Sequence, residues 1–420
     1  MDILNPELSG VTAHGPNCSC WHLVGPNKFE QGLIRHQNKL EDGQVEIEML
    51  FCGHCESDTT LVKLGRHPSQ KEATDLILPG HEPVGRIVRL GSGVSNLRVG
   101  QIVAVEPGIS CGNCLECHRG RYNLCRKVKY MATPGPGWSY GCYSHTIRWP
   151  AELCFPVPES LDPMLAALTE SMAAGRQSID YVSKTDGFDA DSETLVLTGA
   201  GQMAMNILLQ ARRRWQDLNI VVMARKSEDR ELALKFGATH VVALSELEWN
   251  AAANLEHLLT AAECDDPQLC QVRQKAEAYR VAQAHNAEVH RQNIEAFKLV
   301  REIAREEVAC VLECTGQPHI LSAALDARTI RGDGSYGLVS CLYDFSLNVA
   351  NLRRDGARVW NLRRSRNQFP AVLKKLALDS DYYNKLIGHV IDFNNVPDLY
   401  QGNRGTKTGP GPKVMIKYNT

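Results

Sequence analysis

Hydrophobic and polar positions along the chain fall into two textures. Residues 45–51 (V-E-I-E-M-L-F) alternate as a strand with one buried face does. Residues 86–90 and 101–105 read as further strands, separated by the turn-forming Gly91-Ser92-Gly93. Roughly the first 170 residues keep this Gly- and Pro-rich, short-run pattern, which predicts a β-rich region. After Pro163 the period changes. Residues 164–182 have helical spacing, and residues 194–198 form the apolar run T-L-V-L-T leading into G-A-G. A helix over 202–216, a strand over 219–223, a helix over 228–236 closed by Gly237, and a strand over 240–244 follow. Residues 307–312 and 335–340 read as later strands. Strands alternating with helices predict a parallel sheet.

One stretch interrupts that alternation. Asp266-Pro267 is a helix start, and neither Pro nor Gly recurs before Arg305. Leu269, Val272, Ala276 and Tyr279, then Ile294, Phe297 and Val300, recur at helical spacing. The spacing predicts one long helix or a helical hairpin, which packs on its own domain or meets a partner.

A chain of 420 residues is too long for one small core, so two domains are expected. A net charge of −2 gives no bulk reason to bind nucleic acid or an anionic membrane. Residues 1–10 lack a basic region followed by an apolar run, and no apolar stretch approaches the length of a membrane span. The 15 cysteines are clustered rather than spread as a disulfide framework, which points to a reducing compartment, the cytoplasm.

The cysteines carry the first chemistry. Cys111, Cys114, Cys117 and Cys125 stand in C-G-N-C-L-E-C-H-R-G-R-Y-N-L-C, a spacing that lets one looped segment surround one ion. Four thiolates suit tetrahedral zinc. A second, open site reads from Cys55 and His81 with Glu82 or Glu170, sulfur, nitrogen and oxygen donors of the kind a catalytic zinc uses. Taken singly, Cys55 also fits a buried apolar side chain, His81 a core histidine, and Glu82 a group that supports the site from behind. Their conjunction with the surrounding glycines points to a metal. Ser57 lies two residues past Cys55, close enough to touch an oxygen at that metal.

The run Gly199-Ala200-Gly201-Gln202-Met203-Ala204 follows an apolar strand and opens a helix, the context of a phosphate-binding turn. Gly199 permits the turn, and Gly201 lets the backbone approach a pyrophosphate at the helix N-terminus. An NAD site would place an acid at the end of the next strand. Met223 is followed instead by Ala224-Arg225-Lys226-Ser227, whose cations suit a 2′-phosphate. NADP(H) is therefore expected over NAD(H).

The stretch Gly80 to Val94, G-H-E-x-x-G-x-x-x-x-x-G-x-x-V, resembles the signature of zinc-containing medium-chain dehydrogenases. C-E-S-D at Cys55 and the four-cysteine lobe resemble that family's two zinc motifs. R-Y-N-L-C at Arg121, A-T-P at Ala132, T-E-S-M at Thr169 and E-C-T-G at Glu313 are similar to its sorbitol (polyol) dehydrogenase branch. The resemblance implies an α/β chain. A β-rich GroES-like catalytic domain would span 1–172 and 361–420. A Rossmann-type doubly wound parallel sheet would span 173–360, with a helical insertion at about 250–300. It implies two zinc ions per chain. Cys55 and His81 would ligate one, and Glu82 and Glu170 would be its carboxylates, one direct and one through water. Cys314, Thr315 and Gly316 would border the cofactor, and Val339 and Ser340 would end a strand against its nicotinamide half. The implied activity is hydride transfer between NADP(H) and a secondary alcohol or ketone, a polyol, sugar or cyclitol, with Ser57 relaying the proton, in a homodimer or homotetramer.

Several positions depart from that pattern. Cys52 precedes the first motif, and Thr59, Thr60 and Leu61 stand where relatives often carry His or Tyr. Arg364, among the clustered C-terminal arginines, falls near a position where polyol dehydrogenases use an arginine. The competing reading is a non-catalytic zinc-binding or scaffold member of the same fold. A basic rim on the lobe would serve nucleic acid, but the charge balance and the lack of interleaved aromatics count against it.

Overall fold

A computed structural model describes residues 3–4, 17–36, 38–66, 77–133, 141–247, 267–340 and 349–419. The chain divides into two compact units, Met1–Gln177 with Arg363–Thr420, and Ser178–Leu362.

The first unit is built on an eight-stranded sheet. Its strands run Cys154–Pro156, Ile102–Val105, Pro83–Leu90, Gln44–Gly53, Lys413–Lys417, Ile387–Asp392 and Thr406–Lys407, with Thr146–Pro150 also paired to Gln44–Gly53. The apolar positions Val45, Ile47 and Met49 fill the core with Ile87, Val103 and Trp149. The intervening acids are not at a solvated face, as alternation suggests. Glu46 and Glu48 are buried as well. Glu46 stands in register opposite Arg89 and Arg148, and its Oε2 accepts from Arg148 Nε at 2.9 Å and Arg89 Nη1 at 3.4 Å. Paired arginines therefore cover the polar face. The last strand, Lys413–Lys417, lies antiparallel to Gln44–Gly53, so the end of the chain sits beside the strand that leads to Cys55.

Two features of this unit differ from the sequence reading. A hairpin of Asn17–Gly25 and Lys28–Arg35 precedes the main sheet, in a stretch without a clear period. The helix expected over 164–182 is two pieces, Pro163–Ala166 and Thr169–Val182. Between them Ala167 N and Leu168 N donate to the carbonyls three residues back. Thr169 Oγ1 and Ser171 Oγ donate to the carbonyls of Ala166 and Leu168 at 2.6 and 3.1 Å. Such hydroxyls compete with the helix ladder. The break puts Glu170 in the first turn of the second piece.

The second unit is a six-stranded parallel sheet. Its order is His240–Ala243, Asn219–Ala224, Thr194–Thr198, Val308–Glu313, Ser335–Leu338 and Arg358–Asn361, every neighbouring pair parallel. This is a doubly wound arrangement, with the order reversing between Thr194–Thr198 and Val308–Glu313. Both of those strands are buried along their whole length, which is why they read as unbroken apolar runs. The exposed edge strand Arg358–Asn361 escaped the sequence reading because its residues are mixed. Pro267–Ile303 is one 37-residue helix rather than a hairpin. Phe297 and Val300 join Val221, Val242 and Val308 in this unit's core. The rest of the expected insert, residues 250–266, lies outside the described residues, as do the side chains of Leu269, Val272, Ala276 and Tyr279.

Candidate active site

Among the described residues, two clusters of side chains that could hold a metal ion stand in the first unit. Cys111, Cys114, Cys117 and Cys125 bring their sulfurs within 4.8 Å of one another, with Cys114 to Cys117 at 3.4 Å and Cys111 to Cys125 at 3.5 Å. All four are free thiols. Short turns make this possible: the helix Leu115–His118 starts at Cys114, and the 3-10 turn Tyr122–Leu124 ends at Cys125. Four sulfurs at the corners of one small volume fit a zinc ion.

Cys55, His81 and Glu82 form the second cluster, again within 4.8 Å. Cys55 caps the helix Glu56–Leu64, immediately beyond the strand Gln44–Gly53. Gly80 has φ +90, and a Cβ there would lie 2.4 Å from the Tyr143 ring, so only glycine presents His81 in this way. Asp58, fully buried, organises the pair. Its Oδ2 accepts from Cys55 N at 3.3 Å, and its Oδ1 accepts from Gly80 N at 3.1 Å and lies 3.2 Å from His81 Nδ1. With Nδ1–H donated to Asp58, the imidazole keeps Nε2 for a ligand, the usual carboxylate–histidine–metal arrangement. Burial opposes ionisation of Asp58, but the His81 charge and hydrogen bond hold it below its ordinary range.

Glu82 is gripped on one side only. Lys413 Nζ, itself fully buried, donates to Glu82 Oε2 at 2.5 Å and to the His54 carbonyl at 2.9 Å. Glu82 Oε1 is buried and has no hydrogen-bond partner. An orphaned carboxylate oxygen beside a thiol and an imidazole nitrogen is what a cation site of this donor set requires. Ser57 Oγ donates to Cys55 Sγ at 3.2 Å and is exposed.

Glu170 stands apart from this cluster. Its Oε1 accepts from Tyr130 O–H at 2.9 Å. Burial and the Glu82 charge raise its pKa above the ordinary value. Tyr130 lies 5.9 Å from His81, ring to ring, and the Arg364 guanidinium stands 4.6 Å from the centroid of the Tyr130 ring. Cys52 is turned away from the cluster, with its sulfur 3.2 Å from Cys142 in the core, a packed thiol. Thr59 Oγ1 is 3.1 Å from His54 Nε2. Sequence reasoning missed Tyr130, Lys413 and the part taken by Asp58. Asp58 had a local signal, an acid three residues past a helix-capping Cys.

In the second unit the residues expected at a dinucleotide gather at the C-terminal ends of adjacent strands. Gly199 has φ +81, and a Cβ there would stand 3.0 Å from Thr315, so the turn needs glycine. Gly201 caps the helix Gln202–Arg214, whose first residues include Gln202, Met203 and Ala204. The buried Glu313 accepts from Thr315 N at 2.7 Å and Gly316 N at 3.1 Å, and Cys314 N donates to Thr198 Oγ1 at 3.2 Å. These bonds fix Cys314, Thr315 and Gly316 beside the glycine turn. Val339 N and Ser340 N both donate to the Glu313 carbonyl. Ala224 ends its strand, and Arg225, Lys226 and Ser227 lead into the helix Ser227–Lys235. Arg230 donates to the carbonyls of Ala224 and Arg225, bracing that turn.

The alcohol dehydrogenase GroES-like domain family matches residues 41–159. This stretch belongs to that family. The GroES-like domain thus holds the Cys55, His81 and Glu82 cluster and all four lobe cysteines. The chain is also similar to sorbitol dehydrogenase from Bacillus subtilis (strain 168), 32% identical over 48% of this chain and 55% of that enzyme. It spans about half the length of that relative. The resemblance to zinc-containing dehydrogenases of the polyol branch agrees with this. Two solved structures share the fold over 96% of this chain and 100% of theirs. One is an alcohol dehydrogenase from Escherichia coli CFT073 complexed with NADH, with TM-score 0.71 and 19% identity. The other is a zinc-binding dehydrogenase from Sinorhizobium meliloti 1021 bound to NADP, with TM-score 0.69 and 19% identity. A GroES-like domain joined to a Rossmann-type sheet is therefore the fold of this chain. Among the described residues no helix is long and apolar enough to cross a membrane.

Proposed function

We propose that the chain is a zinc-dependent oxidoreductase that moves hydride between NADP(H) and a secondary alcohol or ketone, a polyol, sugar or cyclitol. The observation that carries the reading is the cluster itself: a thiol, an imidazole committed through Nδ1, and a carboxylate whose second oxygen has no partner. Cys55, His81 and Glu82 would hold the catalytic ion, and Cys111, Cys114, Cys117 and Cys125 a structural one. The catalytic ion supplies Lewis acidity toward the substrate oxygen. Asp58 keeps His81 in the right tautomer, and Lys413 orients Glu82. Ser57, exposed beside Cys55, takes the hydroxyl proton and passes it to solvent as a relay rather than a base. A nicotinamide cofactor bound at the glycine turn would accept hydride from the carbinol carbon, so that an alcohol and NADP would give ketone, NADPH and a proton, and reduction would be the reverse.

The glycine turn at Gly199 and Gly201 would receive the pyrophosphate at the helix N-terminus. Arg225 and Lys226, with Ser227 beside them, favour NADP(H), since no acid follows the strand. A cytoplasmic homodimer or homotetramer with no nucleic-acid or membrane partner completes the reading.

The test is kcat/KM with both cofactors over a panel of ketoses, polyols and cyclitols. NADPH should exceed NADH by about ten- to hundredfold, the range of charge-assisted bonds of ~1.5–3 kcal/mol. Arg225→Asp should reverse the order. Cys55→Ser or His81→Ala should abolish turnover and leave dinucleotide binding in place. Equal use of the two cofactors would end the NADP(H) assignment, and retained turnover in Cys55→Ser would end the zinc mechanism.

A further inference from the structure

We propose that Tyr130 is a positioning residue that holds Glu170 away from the cation, so that one coordination position stays open. This inference rests on the metal-site reading above.

The geometry offers four candidate ligands and brings only three together. The donor atoms of Cys55, His81 and Glu82 converge within 4.8 Å, and Glu170 does not join them. Glu170 is nevertheless near enough to feel the charges of both Glu82 and His81. A site with three protein ligands keeps a place for substrate, whereas a fourth protein ligand closes it and makes it structural. A neighbouring carboxylate is drawn toward a dication unless its lone pairs are engaged elsewhere. Here one oxygen is engaged, by the Tyr130 phenol at 2.9 Å. The Tyr130 hydroxyl is the donor, so ionisation of Glu170 strengthens this bond.

The phenol is held in place from several directions. Its backbone pairs with Gly108 in a short antiparallel ribbon. The Arg364 guanidinium stands 4.6 Å over its ring. Arg364 adopts φ 55, unusual for a residue with a side chain, in a loop whose backbone is pinned at three points. Asn123 Nδ2 donates to the Arg363 carbonyl at 2.9 Å, Arg366 N donates to Gln177 Oε1 at 2.9 Å, and Asn367 N donates to Tyr122 Oη at 2.7 Å. The Arg364 guanidinium, the Tyr130 phenol and the Glu170 carboxylate thus stand in one chain that ends at Glu170.

Cobalt(II) in the Cys55 site, with zinc kept in the four-thiol lobe, provides the readout. A thiolate-to-cobalt charge-transfer band, absent in Cys55→Ser, reports that the ion is bound. The ligand-field bands report its shell, and added imidazole reports the open position. The parent should show a clear imidazole shift. Tyr130→Phe should change the ligand-field bands before imidazole is added and weaken the imidazole response at least tenfold. Tyr130→Phe with Glu170→Gln should regain the parent's response. An unchanged imidazole affinity in Tyr130→Phe overturns the proposal, as does a double variant that binds cobalt through thiolate without regaining the response. Glu170→Gln alone gives an independent reading on a milder change. It should leave the cobalt bands as they are while Glu82→Gln alters them, and equal effects of the two would also overturn it. A parent lacking any Cys55-dependent charge-transfer band would remove the metal reading itself, and this inference with it.

Discussion

Single side chains show how much charge the GroES-like unit buries and how differently it is compensated. Lys413 and Glu82 are a buried pair, and removal of either would strand the other. Glu106 is compensated by a neutral hydroxyl instead. Its carboxylate accepts from the Tyr122 hydroxyl at 3.0 Å, and burial, opposed by that bond, pushes its pKa up to about 7 from 4.5. The folded chain then binds a proton that the unfolded chain has released between those two values. Stability from this group is full below about pH 4.5 and is lost as pH rises to about 7, a total of about 3 kcal/mol. Glu106→Gln should remove that slope, read as the difference between parent and variant in denaturant unfolding from pH 5 to 8. A parent and variant with parallel profiles would show that Glu106 titrates normally. Residues adjacent in sequence, such as Cys55 and Ser57, were legible because a helix start fixes their spacing. Lys413, 331 positions from its partner, carried no local signal, since pairing through space has no period.

Burial governed the legibility of several elements. The strand Thr194–Thr198 was read to the residue because a strand covered on both faces is apolar throughout. The exposed edge strand Arg358–Asn361 was invisible, and the helix over 164–182 was read as continuous because apolar spacing does not register a hydroxyl returning to a carbonyl. The turn that follows Thr194–Thr198 carries a sharper expectation. Gly199 sits at φ +81 with Thr315 3.0 Å from its missing Cβ. Gly199→Ala therefore meets two penalties at once, a left-handed backbone worth about 1–2 kcal/mol and a contact with the segment that Glu313 braces. Dinucleotide affinity should fall about tenfold, measured by the quenching or transfer of protein fluorescence on titration with NADPH. Affinity equal to the parent's would mean that this turn does not meet the pyrophosphate.

At the scale of the whole chain, the four-cysteine lobe and the Arg364 loop are far apart in sequence and joined in space. The lobe has little apolar packing of its own: the helix Leu115–His118 buries no residue, and Leu115 and Leu124 are exposed. An ion among the four sulfurs would supply the order that packing does not, as in small zinc modules. Yet Asn123 and Tyr122, which lie between Cys117 and Cys125, hold the backbone at Arg363 and Asn367. A lobe without its ion should release those anchors and with them the guanidinium that stands over Tyr130. Hydrogen exchange measured by mass spectrometry separates this from a purely local role. In Cys111→Ser with Cys114→Ser, exchange should quicken over 108–130 and also over 362–368. The strand Gln44–Gly53, held by its neighbours in the sheet, should stay protected. Faster exchange confined to 108–130 would mean that the loop bearing Arg364 is ordered without the lobe. The metal there would then stabilise only the segment that binds it.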